Sequence, residues 1–413
     1  MAKEYKDLIV ALDIGSAKVM ALVGEVLPNG ELKLAGLGMS ASDGIKRGVV
    51  VNIDATVASI HHALKEAELM ADCKIGRVRI GISGDHIRGI NSTGVAAIRD
   101  RDEVSMEDVR RVESTAEAVS IPGDRVRLLS APQGYTIDQH NYVRERPIGM
   151  SGTRLEAMVH IITGAKSAVD NIVKCVRRCG LDVEREIIPN ALASSTAVLS
   201  ADERELGVAC VDIGAGTTDV TVFLGSALRH TVVIPIAGDL MTRDIAMALR
   251  TSIQAAEDLK TAHGCAKAQL AGLNTNVEVL TQDGGEPKLL SRQALAGVLE
   301  PRVEEIFRIV QSELRENGFE ELLSSGIVLT GGAAVMPGMQ ELAEDIFLKP
   351  VRRGVPRYTG YLAEMVSQPF AATAMGLMED ARQERLCGRA PPPRAAKMGA
   401  FWSRVRDFVV GNF

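Results

Sequence analysis

The sequence predicts an α/β protein whose core is built twice, as two similar lobes, and three features of the 413-residue chain carry that expectation. The first is the run 206–222, in which an apolar stretch ends on Asp212, small residues turn at 214–217, and apolar alternation resumes at Val220. That pattern reads as strand, tight turn, strand. The second is an earlier run, 8–22, that repeats the design with Asp13 in the place of Asp212. The third is the continuation of the earlier copy into a further strand at 31–39, a helix at 54–70 with Val57, Ile60, Leu64 and Ala67 on one face, and a strand at 78–83. The order is βββαβ, and a repeated unit of this size implies two lobes facing one another.

The turns are built for phosphate. Gly15 and Gly214, with Gly216, let backbone approach an anion without a Cβ in the way, while Ser16, Thr217 and Thr218 offer hydroxyls and Ala17 and Ala215 keep the turns narrow. Lys18 supplies a cation for a β-phosphate, and Asp13 and Asp212 can each hold Mg2+ through water. Gly238 opens a helix whose N-terminus can face phosphates. The expected ligand is therefore a nucleotide, gripped from both sides. A Rossmann turn would have to open a helix and a Walker loop needs Gly-Lys-Ser/Thr, and neither is present.

Composition narrows the class. Net charge is −6 and the sequence pI is about 5.8, which argues against nucleic acid as the main partner, because phosphate binding needs a basic face. Nearly half of the residues, 46%, are apolar and mean hydropathy is close to zero, as in a soluble globular protein. The N-terminal residues lack an apolar signal core and no run is long and apolar enough to span a bilayer, so a cytoplasmic protein is expected. The six cysteines and seven histidines show no zinc spacing and are assigned no chemistry.

Between 84 and 157 the pattern changes to a charged, turn-rich segment with a helix near 105–119, read as an inserted subdomain, and a core strand is expected at 159–163. A helix at 166–178 and a small-residue segment from Pro189 to Ser195, able to cross beside a cleft, come next. After the second glycine turn come a strand at 227–236, helices starting at 238 and 252, a long helix at 291–317 and a buried strand inside 326–334 that ends on Gly331 and Gly332.

Paired phosphate turns of this kind resemble the actin, Hsp70 and sugar-kinase superfamily, in which ATP lies between two lobes. The double glycine, with Ala333, matches that superfamily's adenosine motif, and Glu257 and Lys260 match its contacts to ribose and base. The stretches 64–73, 80–86 and 327–334, together with the tail, are similar to FtsA, the actin homologue of bacterial cell division. The resemblance runs end to end. It implies an actin-like two-lobed ATPase fold with duplicated βββαβ cores, an inserted family-specific subdomain placed unlike its counterpart in actin, and a C-terminal amphipathic helix. It divides the chain into lobe 1 core (1–84), insertion (85–160), lobe 1 continued with the crossing helix (161–196), lobe 2 core (197–236), a small subdomain (237–300) and lobe 2 continued (301–362). A helix returning to lobe 1 (363–386), a linker (387–398) and an amphipathic helix (399–413) complete it.

The resemblance also implies ATP and Mg2+ as ligands, head-to-tail polymers, later division proteins as partners, and a place on the cytoplasmic face of the membrane at the division site. The C-terminal peptide of FtsZ is expected on the small subdomain, with Arg292 and Arg302 as candidate cations. Related ATPases place a water-orienting Glu in the crossing segment where this chain has Pro189, so tight binding with slow turnover is expected. The competing reading is a sugar kinase with Asp85 or Asp244 as base. An Hsp70 chaperone would need a peptide-binding domain for which too little chain remains after the last core helix.

The tail carries its own signal. Of fourteen aromatic residues, Phe401, Trp402, Phe408 and Phe413 fall in the last thirteen positions. At about 100° per residue they share a helical face with Val405 and Val409, opposite Ser403, Arg404 and Asp407. Arg394, Lys397, Arg404 and Arg406 add attraction to anionic lipid. Six partly buried side chains at about 1 kcal/mol each supply roughly 6 kcal/mol, a dissociation constant of tens of micromolar. One tail binds transiently, and a polymer presenting many would bind stably.

Overall fold

The computed structural model describes residues 8–184, 187–272, 276–279 and 288–388. The chain begins with β1 (Leu8–Ile14), β2 (Lys18–Val26) and β3 (Leu32–Ala41), three antiparallel strands. The short pair β4 (Ile45–Lys46) and β5 (Val49–Val50) leads to α1 (Ile53–Ala71), which Asn52 starts by accepting the Ala55 N–H. Gly36 and Gly38 let this helix lie directly on β3: a Cβ at Gly36 would come within 2.6 Å of the Ala67 carbonyl. The strand β6 (Arg77–Ile82) then runs parallel to β1, and Ser83 stands just beyond its end.

The insertion comprises β7 (Arg88–Ala97), α2 (Met106–Glu117), β8 (Arg125–Ile137), β9 (Asn141–Val143) and β10 (Arg154–Ala165), in the sheet order β7-β10-β8-β9. Ser105 and Asp108 cap α2 reciprocally, and its Val109 and Val112 pack with Tyr135, Ile137 and Leu155 over the sheet. The expected separate core strand at 159–163 is instead the second half of β10, which stays in the insertion's own sheet. A run buried on both faces looks the same in either sheet, so the sequence could not assign it. The insertion leans on lobe 2: Gln133 donates to the Leu228 carbonyl (2.8 Å) and Asn91 to that of Arg229 (3.2 Å).

The chain re-enters lobe 1 with α3 (Lys166–Arg178), β11 (Asp182–Val183) and β12 (Ile188–Pro189), then crosses on α4 (Asn190–Val198) and α5 (Ala201–Leu206). Lobe 2 repeats the first pattern with β13 (Val208–Ile213), β14 (Thr218–Leu224) and β15 (Ala227–Ile234). Two helices, α6 (Gly238–Leu249) and α7 (Ile253–His263), and the hairpin β16 (Asn276–Val279) and β17 (Lys288–Ser291) form the small subdomain. The long α8 (Arg292–Glu316), β18 (Ile327–Thr330), α9 (Met339–Phe347) and β19 (Val351–Arg353) complete the sheet, ahead of α10 (Ala363–Val366) and α11 (Ala372–Leu386).

The two large sheets have corresponding strand orders, β3-β2-β1-β6-β11 in one lobe and β15-β14-β13-β18-β19 in the other. In each, three antiparallel strands precede a strand that returns parallel to the first, which brings both glycine turns to one level. The inter-lobe joint is α11 packed on α4 and on the β1–β2 face. Gly376 makes that contact possible, because a Cβ there would collide with the Ala193 main chain. We predict that Gly376→Val costs about 3 kcal/mol in denaturant unfolding; an unchanged midpoint would contradict this packing.

Candidate functional site

The same hydrogen bond closes both glycine turns. The Gly15 N–H donates to the Lys18 carbonyl (3.0 Å) and the Gly214 N–H to that of Thr217 (2.9 Å). Each turn comes after a strand with an aspartate one position before its last residue, so Asp13 and Asp212 stand buried at the two sheet ends. Because β18 is parallel to β13, with Thr330 opposite Asp212, it delivers Gly331 beside that carboxylate. Gly331 has φ +89° and a Cβ there would strike the Asp212 carboxylate and the Ile213 carbonyl, two separate reasons for glycine.

One cleft is lined by Asp13, Gly15, Ser16, Ala17 and Lys18 from lobe 1, and by Asp212, Gly214, Ala215, Gly216, Thr217, Gly331 and Gly332 from lobe 2. The turns nearly touch: a Cβ at Gly216 would lie 2.5 Å from Ser16 Oγ and 2.8 Å from Arg47 Cα. Lys18 donates to the Phe370 carbonyl (2.7 Å) and lies 3.8 Å from Asp13. The Gly331 N–H donates to the Pro369 carbonyl (3.2 Å), so the 369–371 turn ties the two lobes' loops together.

Other candidates stand elsewhere. Thr218 is the first residue of β14 rather than part of the turn, and strand alternation sends its hydroxyl away from the cleft to the Ile236 carbonyl (2.7 Å). The first amides of α6 are also engaged: Gly238 and Asp239 donate to the Gly214 and Ala215 carbonyls (3.1 and 2.8 Å), so this helix start buttresses the turn. Ala333 packs against the lobe 2 core beyond the double glycine. Glu257 lines an adjoining cavity that shares Ala17, Ala215 and Gly216 with the cleft, and Lys260 bonds to Glu257 (2.7 Å), Thr242 (2.8 Å) and the Gly238 carbonyl (3.2 Å).

Arg302 is held by the Asp244 carboxylate through two bonds (2.6 and 3.0 Å), and Arg292 donates to the His263 carbonyl (2.9 Å). Asp244 is thereby neutralised away from the cleft, and Asp85 is exposed at the entry to the insertion, so neither stands as a base beside the glycine turns. The six apolar tail residues lie outside the described residues.

Several cleft residues escaped the sequence reading: Gly48, Ser83, Asn190, Asp219, Pro369, Phe370 and Thr373. Asp219 had a signal, a charge inside an apolar strand, and β13–β14 pairing sets it opposite Asp212. Ser83 donates to Asp219 (2.8 Å) and lies 3.2 Å from the Thr217 hydroxyl, a polar bridge across the cleft. At the crossing segment Pro189 is buried, and it is Asn190 that lines the cleft, its Oδ1 buried without a hydrogen-bond partner. The segment brings no carboxylate; Asp219 does.

Burial pushes all three aspartates up. Desolvation raises Asp13 against the pull of Lys18, raises Asp212 to about 6 with help from the Asp13 charge, and raises Asp219 to about 7 with help from Asp212. Three buried carboxylates facing a single lysine suit a bound divalent cation, and the orphaned Asn190 oxygen suits a ligand's hydrogen-bond donor. Among the described residues no three metal-ligating side chains converge tightly enough to hold an ion by themselves. The donor set therefore fits Mg2+ that brings water and phosphate oxygens to Asp13 and Asp212.

The family described as "Cell division protein FtsA" matches residues 209–376, and "SHS2 domain inserted in FTSA" matches 84–163. A cell division protein FtsA from Pseudomonas aeruginosa is 50% identical over 412 residues, 98% of either chain. The chain belongs to the FtsA family of cell division proteins. FtsA from Neisseria meningitidis is 44% identical over the whole of both chains, and FtsA from Escherichia coli K12 is 42% identical over 99% of each. Among solved structures, the PilM-PilN type IV pilus biogenesis complex superposes with a TM-score of 0.64 at 17% identity, covering 92% of this chain and 99% of the other. MreB5 of Spiroplasma citri bound to ADP gives 0.55 at 15% identity, covering 93% and 99%. These likenesses show the actin-like fold, and the FtsA membership explains the insertion after β6.

The raised carboxylates fix a pH dependence. A carboxylate whose folded pKa exceeds its unfolded value binds more protons in the folded state, so its contribution to stability is lost as pH rises from about 4 to 7. Neutralising it removes that loss. Without nucleotide, Asp212→Asn should match the wild type in stability near pH 3, below the unfolded value, and exceed it by on the order of 3 kcal/mol at pH 8. A difference between the two that does not change with pH in thermal or denaturant unfolding would contradict the burial of that charge.

Proposed function

We propose that this chain binds Mg2+·ATP between its lobes, assembles head to tail on the cytoplasmic face of the membrane at the division site, and links the FtsZ ring to that membrane. One observation carries the reading: two identically closed glycine turns meet across a cleft with three buried aspartates and a lysine. The structure of MreB5 bound to ADP, on the same fold, supports a nucleotide there. In the bound complex, Gly15, Ser16, Gly214, Ala215 and Thr217 would hold phosphate through backbone and hydroxyl groups, Lys18 would offset charge, and Asp13 and Asp212 would carry the hydrated Mg2+. When bound, the nucleotide supplies charge and contacts that pull the lobes together. The crossing segment, Pro189 followed by Asn190 at the cleft, places no carboxylate there, which supports slow turnover.

Polymerisation would convert a weak, single-tail contact with anionic lipid into stable attachment, which couples the cleft to the membrane. The insertion would recruit later division proteins. A sugar kinase has no support at Asp85 or Asp244. In liposome flotation, full-length protein with ATP should float, whereas Trp402→Glu or deletion from Gly399 onward should stay in solution. Equal flotation of the truncated chain would remove the tail as anchor.

The FtsZ peptide is assigned to the small subdomain, where Arg292 and Arg302 would meet its acidic residues. Because Arg302 already holds Asp244, the peptide must compete for it. Charge reversal at both arginines should weaken a labelled FtsZ tail peptide about tenfold in fluorescence anisotropy. Unchanged affinity in correctly folded protein would take both residues out of the interface.

A further inference from the structure

A second cavity lies away from the nucleotide cleft, in the corner where the insertion meets lobe 1. Its walls are Leu128 and Leu129 of β8, Ile187, Ile188 and Pro189 before the crossing helix, and Leu192 on α4. The last two turns of α11 close it with Asp380, Gln383 and Glu384, and Cys387 stands at its rim. At the base is Arg79, only 4% exposed, which meets the Glu384 carboxylate and lies 3.3 Å from Asp380 but leaves Nε without a hydrogen-bond partner. A buried guanidinium N–H with no acceptor is costly and marks a place where an incoming main-chain or side-chain oxygen would be stabilised.

The chain itself leads to this place. The described residues end at Gly388, one position past Cys387, and residues 389–413 continue from that rim. The linker before Gly399 is long enough to return to a cavity that begins at its own origin, since an extended residue covers about 3.4 Å. Asp380 and Glu384 on the cavity wall are already paired with Arg79, so the surface left for an occupant is the apolar one of Leu128, Leu129, Ile187, Ile188 and Leu192. A six-residue apolar stripe left in water on each free molecule would be an aggregation hazard.

We propose that residues 399–413 dock intramolecularly in this cavity when no membrane is present, with Phe401, Trp402 and Val405 against Leu129, Ile188 and Leu192. The proposal rests on the reading of those residues as an amphipathic membrane anchor and adds a stored state to it. Docking and lipid insertion use the same apolar face, so they exclude one another. A chain stowed nine times in ten shows a membrane affinity about tenfold below that of its open form. Assembly on a membrane, by raising the local lipid concentration, draws tails out of the cavity.

Trp402 is the only tryptophan in the chain, so its emission reports the tail directly in the full-length protein. In dilute, lipid-free solution its emission should be blue-shifted from free tryptophan and shielded from iodide, independently of protein concentration. Leu129→Asp, on the cavity wall, and Gln383→Lys, a change at its rim that leaves the core intact, should both expose Trp402 to iodide and raise vesicle affinity about tenfold. Solvent-like emission in the wild type would overturn the proposal, as would shielding that grows with protein concentration, which points to a second copy, or shielding unchanged in both variants, which places the tail elsewhere. Anionic vesicles separate this from the anchor itself. If Trp402 is free in solution yet quenched by brominated lipid, the anchor stands and the stored state falls; if it responds to neither, both fall.

Discussion

The costly feature of this fold is the burial of Asp13, Asp212 and Asp219 around one lysine. Carboxylates in such surroundings are stable only when neutralised or paired. Everything near them serves to hold them in place: Ser83 and Thr373 donate hydrogen bonds from lobe 1 and from α11, Lys18 reaches Asp13 while tethered to Phe370, and the β13–β14 register sets Asp219 against Asp212. Free protein tolerates this arrangement through raised pKa values, and a magnesium nucleotide would resolve it.

Placement of these charges comes from the duplicated topology. Two sheets with the same strand order end their first strands at one level, so a turn in one lobe faces its counterpart in the other. The crossing elements α4 and α11 then act as the shared joint, with Gly376 permitting contact at main-chain distance. Small residues in this joint are packing requirements with functional effect, because the lobes' separation decides whether a nucleotide can touch both turns.

The repeated strand-turn-strand pattern made the two-lobed core legible, since periodicity and glycine placement are local properties. Thr218 shows the limit of that reasoning: adjacent hydroxyls look equivalent in a sequence, and strand alternation separates them. Gly238 shows another, because a helix start signals available amides without showing which carbonyls have taken them. Ser83, Asn190, Phe370 and Thr373 come from distant segments and had no shared local signal; topology alone collects them. Asp219 was readable as a charge in an apolar strand, and its meaning depended on which face of β14 meets the cleft. Assigning 159–163 to the core failed because burial on both faces leaves no trace of which sheet a strand joins.

The central claim is that one nucleotide is held between both lobes with Mg2+ on the buried aspartates. Calorimetric titration of Mg2+·ATP into the full-length protein and into Gly331→Asp tests it most directly, because residue 331 stands beside Asp212 in the cleft wall that faces lobe 1. Binding that requires Mg2+ in the wild type and disappears in Gly331→Asp is the predicted result. Wild-type affinity in folded Gly331→Asp, or binding indifferent to Mg2+, would contradict it.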